Sequence, residues 1–369
     1  MLFPPSPREL RIALNAAPRI SRPAVCRLAQ ELPLWSESSE PPGVLAAAVG
    51  IPKAQMEKAL AVRETAAAVA AREEEEAGRL GARIVLQGDP AWPAGLAQLS
   101  LPPPVLYVAG EIPDSPALSI VGSRRSDAYG TEVAETFARA LAASGVTVVS
   151  GFARGIDAAA HRGALAADGG RTVAVLGCGL GVDYPMGHAK LAREITARGA
   201  LVSELPCGTA PRAWHFPVRN RVIAALSAGT LVVQATPRSG SLITARHALE
   251  IGREVYAIPG RIFDERSLGP HALLRDGARL VQHPQDLLDD LRPGAAPSGP
   301  LFAEPAPALP DPPEGLPRKL LALLAPGSFQ VPEDLAARAE VPVDQALGAL
   351  LELELGGWVK RMPGPVYGR

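Results

Sequence analysis

Residues 118–122 (LSIVG), 146–151 (VTVVSG), 172–177 (TVAVLG), 200–204 (ALVSE), 230–234 (TLVVQ) and 254–260 (EVYAIPG) are short, almost wholly apolar runs. Each has the length of a strand, and helical patterns fill the intervals. Apolar runs without alternation belong to strands buried on both faces, and their regular exchange with helices makes a parallel sheet covered on either side. The expected fold is therefore α/β, with a Rossmann-like, doubly wound parallel sheet as its core and a seventh short strand near Arg279–Val281.

In such a sheet, ligands bind beyond the carboxyl ends of the strands. The loops there read Gly122-Ser123-Arg124-Arg125, Ser150-Gly151-Phe152-Ala153-Arg154-Gly155, Gly177-Cys178-Gly179-Leu180-Gly181 and Arg238-Ser239-Gly240-Ser241. Glycine lets the backbone approach a ligand, hydroxyls and free N–H groups donate to phosphate oxygens, and Arg grips phosphate with two parallel bonds. One such loop means little, because Gly-Ser turns are common where strands meet helices. Four on one edge, three of them with Arg, mark a polyanion site.

Outward from the core, residues 8–76 are rich in Ala and Leu with helical periodicity, interrupted at Pro18, Pro33 and Pro41-Pro42-Gly43. They read as a bundle of short helices, with Glu73–Glu76 as a solvated face. Two extended pieces, ARIVL and PVLYV, lead into the sheet around a Pro-rich segment. Beyond the core, residues 292–315 are rich in Pro and Ala and read as an extended linker. The last stretch runs helix, helix, tight turn, longer helix and hairpin, the order of a winged helix. A chain of 369 residues exceeds a single core. The expected domains are 1–79, 80–290, a linker at 291–315, and 316–369.

A formal net charge of -1 requires that any basic surface be concentrated on one face. Cys26, Cys178 and Cys207 lie far apart without metal-ligand spacing, so no metal is expected and a reducing compartment fits. No stretch approaches a membrane span or an apolar leader, and a soluble cytoplasmic protein is expected.

A dinucleotide is the first rival ligand. GSRRSDAYG, however, lacks the G-x-G-x-x-G spacing, and the second strand ends in Ser150-Gly151 with no acid for a ribose hydroxyl. Glu204, after the next strand but one, is the single weak match. Arg212, Trp214, His215, Phe216, Arg219, Asn220 and Arg221 form a basic and aromatic cluster in the loop after the fourth strand. Such rings either stack bases, as single strands require, or pin the loop to the core. Asp157 and His161, four residues apart, read as a capping and packing pair.

GSRRSDAYG, VVSGFARGIDAAAHRGAL, TVAVLGCGL followed by DYP, LVSELPCGT, HFPVRNRVIAALS and RSGSLITARHALEIGREVYAIPG stand in this order. With them the chain resembles the DNA-processing protein A (DprA, or Smf) family along nearly its whole length. The resemblance implies a SAM-like amino-terminal helical domain, a Rossmann-like core that forms homodimers, and a winged-helix tail. It implies a protein without catalysis or cofactor that binds and protects incoming single-stranded DNA in natural transformation and loads the RecA recombinase. It places DNA contacts at Arg124, at Ser150–Gly155, at Phe216, Arg219, Asn220 and Arg221, and at Ser239–Thr244. Two departures stand out. His188 occupies the place of the family's usual Asn after the Tyr-Pro block, and Pro18-Arg19-Ile20-Ser21 replaces the Gly-Ile-Gly hairpin of relatives, so the first domain is not expected to bind DNA.

The alternative is a nucleotide-processing enzyme of the lysine-decarboxylase-like phosphoribohydrolase type. Its P-G-G-x-G-T block and following Glu are absent: Pro237-Arg238-Ser239-Gly240-Ser241 stands there, and the next acid is Glu250. A transcription regulator is a third reading, but the candidate recognition helix at 343–355 carries Asp344, Glu352 and Glu354 and no cation. Carboxylates facing phosphates repel them. Protein contact is therefore expected of the tail, with Lys360 and Arg361 as the groups for any weak duplex contact.

Overall fold

The computed structural model describes residues 5–291, 312–325, 328–362 and 366–368. It forms two compact units, divided between Pro293 and Gly294. The expected linker at 291–315 lies, from 292 to 311, outside the described residues. Among the described residues no helix is long and apolar enough to cross a membrane.

The first unit opens with helices α1 (Pro7–Ala16), α2 (Arg22–Gln30), α3 (Leu32–Trp35), α4 (Pro42–Val49) and α5 (Lys53–Arg79). Ser6 and Glu9 close a reciprocal capping box at the start of α1. The expectation of short helices holds up to Val49, where prolines break the chain. It fails for α5, which runs for 27 residues because nothing between Pro52 and Gly78 interrupts it. Nor is Glu73–Glu76 merely a solvated face, since Glu73 accepts a hydrogen bond from the buried Tyr107 hydroxyl at 2.9 Å.

Strands and helices then alternate: β1 (Ala82–Leu86), β2 (Val105–Gly110), β3 (Ala117–Val121), α6 (Ala128–Ala143), β4 (Thr147–Ser150), α7 (Ile156–Ala166), β5 (Thr172–Val175), α8 (Ala189–Arg198) and β6 (Ala200–Ser203). The series continues with α9 (His215–Ala225), β7 (Gly229–Val232), α10 (Ser241–Glu250), β8 (Glu254–Ala257), α11 (Leu268–Arg275), β9 (Arg279–Leu280) and α12 (Pro284–Leu291). All nine strands join one sheet in the order β1-β2-β6-β5-β4-β3-β7-β8-β9. From β6 to β9 every pairing is parallel, as the apolar runs required. The lead-in pieces do more than pack against the core: β1 and β2 extend the sheet as antiparallel strands at the β6 edge.

Strand β3 is central. The chain winds outward from it through β4, β5 and β6, crosses back, and winds the other way through β7, β8 and β9. The direction reverses between β3 and β7, and a crevice opens at the carboxyl end of such a switch point. Successive side chains of a strand face opposite sides. Leu118 and Ile120 accordingly pack with α6, α7 and α12, while Val121 joins α9 and α10 on the other face.

A buried ionic network ties the helical segment to the sheet. The Glu204 carboxylate, just past β6 and 4% exposed, accepts from Arg221 at 2.6 Å and from Arg22 at 3.3 Å. Asn15 donates to the Glu204 carbonyl at 3.1 Å, and Arg22 donates to Asn15 at 2.7 Å. On the other side of the sheet, the fully buried His161 sits on α7. The Thr172 hydroxyl spends its proton on the Val148 carbonyl, so His161 Nδ1–H donates to it at 2.7 Å. Burial pushes the imidazole down to about 3.

The second unit is a winged helix, as its sequence order predicts: α13 (Leu316–Leu323), β10 (Phe329–Gln330), α14 (Pro332–Ala339), α15 (Val343–Leu355), β11 (Lys360–Met362) and β12 (Val366–Gly368). The three strands pair in the order β10-β12-β11, and Leu320, Leu335, Leu350 and Leu353 form the core.

Three outcomes follow for stability. Glu204→Gln leaves two nearly buried guanidinium groups without a counter-charge, and the urea midpoint of the intact chain should fall by the equivalent of about 3 kcal/mol. Asn15→Ala removes two hydrogen bonds, one of them from the Arg22 guanidinium, and should cost about 2–3 kcal/mol. His161 stays neutral in the fold, whereas the unfolded chain takes up its proton near pH 6.5. Its contribution is therefore lost as pH falls from about 6.5 toward about 3, amounting to about 5 kcal/mol at the acid end. A series of urea midpoints from pH 7 to 4 should be flatter for His161→Gln than for the parent chain.

Candidate nucleic-acid interface

The switch point between β3 and β7 opens into a cavity of about 1380 Å³. A second cavity of about 370 Å³ adjoins it and shares Arg124, Arg125, Ala153, Tyr184 and Phe216. The loops after β3, β4 and β7 and the first turns of α9 and α10 form the walls. Ser123 N–H donates to the Gln234 carbonyl at 2.7 Å and stitches the β3 and β7 loops together. Gly155 has φ 77°, and a Cβ there would lie 2.3 Å from the Ser123 carbonyl oxygen, so the β3 and β4 loops lie back to back only because that residue has no side chain.

At the junction of the cavities stands a column of side chains. The Arg124 guanidinium lies 4.8 Å from the centre of the Phe216 ring, and the Tyr184 ring lies 5.5 Å from it on tilted planes. Phe216 rests on bare backbone, since a Cβ at Gly177 would sit 2.5 Å from the ring. Arg124, Arg125 and Arg154 are exposed, while Phe216 is half-buried. The Arg124 guanidinium thus lies over the ring in a cation–π contact, and Arg125 and Arg154 stand in solvent around the small cavity.

Beneath this column lies a second layer. Arg219 is 4% exposed and donates to the Gly151 carbonyl at 2.7 Å and to the Val175 carbonyl, closing the carboxyl ends of β4 and β5. Asp157 lies alongside, with its carboxylate accepting from Ala153 N–H at 3.3 Å. Burial lowers Arg219 to about 10, and burial raises Asp157 against the pull of Arg219. Asn220 donates to the Gly240 carbonyl at 3.0 Å and anchors the β7 loop, whose Ser239 and Ser241 hydroxyls share a 2.7 Å bond. Arg219 and Asn220 line the cavity from below as its frame.

Of the residues singled out in the sequence, Gly122, Ser123, Arg124, Arg125, Phe216, Arg219, Asn220, Ser239, Gly240, Ser241 and Thr244 line the large cavity. Gly151, Phe152, Arg154 and Gly177 line the small one. Five line neither. Ser150 is buried and donates to the Ile120 carbonyl at 2.6 Å, linking β4 to β3. Gly155 packs the loops together, and Gly179 lies against the Pro206 carbonyl. Arg221 is engaged with Glu204, and Arg238 is exposed beyond the rim. His188 packs edge-on to Phe152 at 5.2 Å and lines neither cavity.

The basic and aromatic cluster is not simply a loop. Its residues from His215 onward are the first turns of α9, and Trp214 precedes them, 53% exposed. The large cavity also has a wall that the sequence reading overlooked, Arg261 and Phe263–Arg266 after β8. The signal was available, since this loop too follows the carboxyl end of a parallel strand and carries arginines. Arg266 is a clamp, paired with Asp264 at 3.0 Å and Asp127 at 3.1 Å.

The acids that a nucleotide enzyme or cofactor site would call on are engaged elsewhere. Glu204, the single candidate for a ribose hydroxyl, is held by two arginines. Glu250 ends α10, about 9 Å along the helix beyond Thr244, the last α10 residue lining the cavity, and pairs with His247 at 2.8 Å. Asp157 and His161 lie one turn apart but serve different partners, Ala153 and Thr172. Among the described residues no three His, Cys, Asp or Glu side chains cluster as metal ligands would.

Comparison with known proteins agrees with this geometry. A family model described as DNA recombination-mediator protein A matches residues 83–292, and one described as the DprA winged helix domain matches residues 304–365. Protein Smf of Escherichia coli is 45% identical over 273 residues, covering 71% of each chain. DNA processing protein DprA of Bacillus subtilis is 39% identical over 203 residues, covering 54% of this chain and 68% of the relative. The X-ray structure of DNA processing protein A from Streptococcus pneumoniae superposes with a TM-score of 0.66 at 31% identity, covering 78% of this chain and 99% of that one. The Helicobacter pylori protein, described for its single-stranded DNA binding mode, gives a TM-score of 0.51 at 31% identity, covering 56% and 95%. With more than half its length matched by the family model and its fold shared with solved relatives, the chain belongs to the DNA recombination-mediator protein A family.

Proposed function

We propose that the chain binds single-stranded DNA in the paired cavities at the β3/β7 switch point. The observation that carries this reading is the exposed Arg124 guanidinium beside the seated Phe216 ring. Single strands are held by bases on rings and phosphates on cations, and this column supplies both within 5 Å. Arg125 and Arg154 extend the positive edge. Ser123, Ser239, Ser241 and Thr244, with the backbone around Gly122, Gly151, Gly177 and Gly240, are the donors for phosphate oxygens. Phe152 walls the small cavity as a second ring. Arg219 and Asn220 act through the frame they build, and Arg221 through its hold on Glu204.

Membership of the family supports a wider role that we propose with it: a non-catalytic mediator that protects incoming DNA in natural transformation and loads the RecA recombinase, working in the cytoplasm as a homodimer through its α/β core. The single-stranded DNA binding described for the Helicobacter pylori relative supports the DNA partner. The engaged state of Glu204 and Glu250 supports a binding rather than a catalytic role.

A salt titration with a labelled oligonucleotide tests the site. Arg124→Ala should weaken binding and reduce the slope of log K against log salt by about 0.7 for each phosphate contact removed. Phe216→Ala should cost about 1–3 kcal/mol while leaving the slope nearly unchanged, because stacking releases no counterions. Unaltered affinity in both variants would reject this cavity as the DNA site.

A further inference from the structure

The winged-helix unit carries a feature that DNA binding in the α/β core leaves unused. Helix α15 buries Ala346, Ala349, Leu350 and Leu353 in its own core. Its outer face presents Val343, Leu347, Leu351 and Leu355, exposed by 39%, 42%, 52% and 83%. These residues are spaced four apart and form one continuous ridge, about 18 Å long at the rise of an α-helix. A ridge of this spacing is the surface that packs into the matching groove of a second helix. Gly348 leaves open space beside the ridge, with no atom within 4 Å of where its Cβ would stand, so a partner helix can approach closely. Four large apolar side chains in a row are more than the scattered exposed residues that a surface ordinarily carries.

The charges around the ridge decide what can cover it. Asp344, Glu352 and Glu354 lie on the same helix, which contains no Lys or Arg. Duplex DNA is repelled by that set. A second copy of α15 would bring the same carboxylates against their own kind, and like charges across an interface are costly. A helix with apolar residues on one face and Lys or Arg along its flanks satisfies both the ridge and the carboxylates.

We propose that α15 is a docking site for a basic amphipathic helix of another protein, so that the winged helix serves here as a protein-binding rather than a DNA-reading module. The apolar ridge supplies the contact area, and the acidic flanks select the partner's charge.

The test uses the full-length chain and a fluorescein-labelled synthetic helical peptide with Leu at positions i, i+4, i+8 and Lys on the flanks, followed by fluorescence anisotropy. A peptide of the same pattern with Glu replacing Lys is the control. The expected result is binding of the Lys peptide that weakens as salt rises, no binding of the Glu peptide, and a loss of at least tenfold in Leu351→Lys and in Leu347→Lys. Both substitutions fall on exposed positions; an unchanged thermal unfolding profile by circular dichroism checks that each variant is folded, and unchanged affinity for a single-stranded oligonucleotide checks that the core site is a separate matter. Failure of the Lys peptide to bind overturns the proposal. So does binding of the Lys peptide by both variants as tightly as by the parent chain. Competition by duplex DNA that vanishes in Leu351→Lys would return α15 to DNA recognition, and a concentration-dependent dimer in sedimentation that Leu351→Lys abolishes would assign the ridge to a second copy.

Discussion

The candidate DNA site rests on a cation that is withdrawn from solvent. Arg219 reaches from α9 under the cavity and donates to the carbonyls of Gly151 and Val175, at the carboxyl ends of adjacent parallel strands. Those carbonyls emerge where the ladder stops and have no further strand to pair with, and a buried unpaired carbonyl is costly. One rigid guanidinium satisfies both and keeps Asp157 close as a counter-charge. The β4 loop, the β5 loop and α9 are thereby held in one arrangement, and Phe216, three residues before Arg219 on the same helix, takes its position over Gly177 from that hold.

The arginines at this edge consequently divide by depth. Arg219 and Arg266 meet carboxylates or carbonyls of the protein and act as clamps. Arg124, Arg125 and Arg154 stand at the surface around the cavities. A polyanion site needs both kinds, because exposed cations bind phosphate from a fixed geometry only when the loops that carry them cannot spread. The acids follow a complementary rule. Glu204 is drawn into a network with Arg22 and Arg221, which neutralises it and couples the amino-terminal helices to α9. A chain of net charge -1 can thus present a positive cleft without an excess of basic residues.

The winged-helix unit distributes charge in the opposite sense. The helix that other winged helices direct at the major groove is here apolar on its outer face and acidic around it. The same three-helix frame with three short strands thus supports a surface of different chemistry, and function follows the side chains of α15 rather than the architecture beneath them.

The parallel type of the central sheet and the edge that carries the candidate site were legible in the sequence, because they depend on local periodicity and strand polarity. Runs such as TVAVLG and TLVVQ state that both faces are buried, and the polarity of a parallel sheet then sends every following loop to one edge. The cluster around Phe216 was less legible. Pro217 and its aromatic neighbours suggest a loop, yet Pro is tolerated in the first turn of a helix, where its missing N–H has no partner to lose. Depth could not be read at all. Nothing local distinguishes Arg124, exposed over a ring, from Arg219, buried under it, or reveals that Glu204 meets Arg22, 182 residues away. The sequence by itself determined which strand-end loops carry the glycines, hydroxyls and arginines of the candidate phosphate site. Only the tertiary structure decided which arginines face solvent and which brace the floor, because the neutralisation of a buried charge is set by groups brought together from distant parts of the chain.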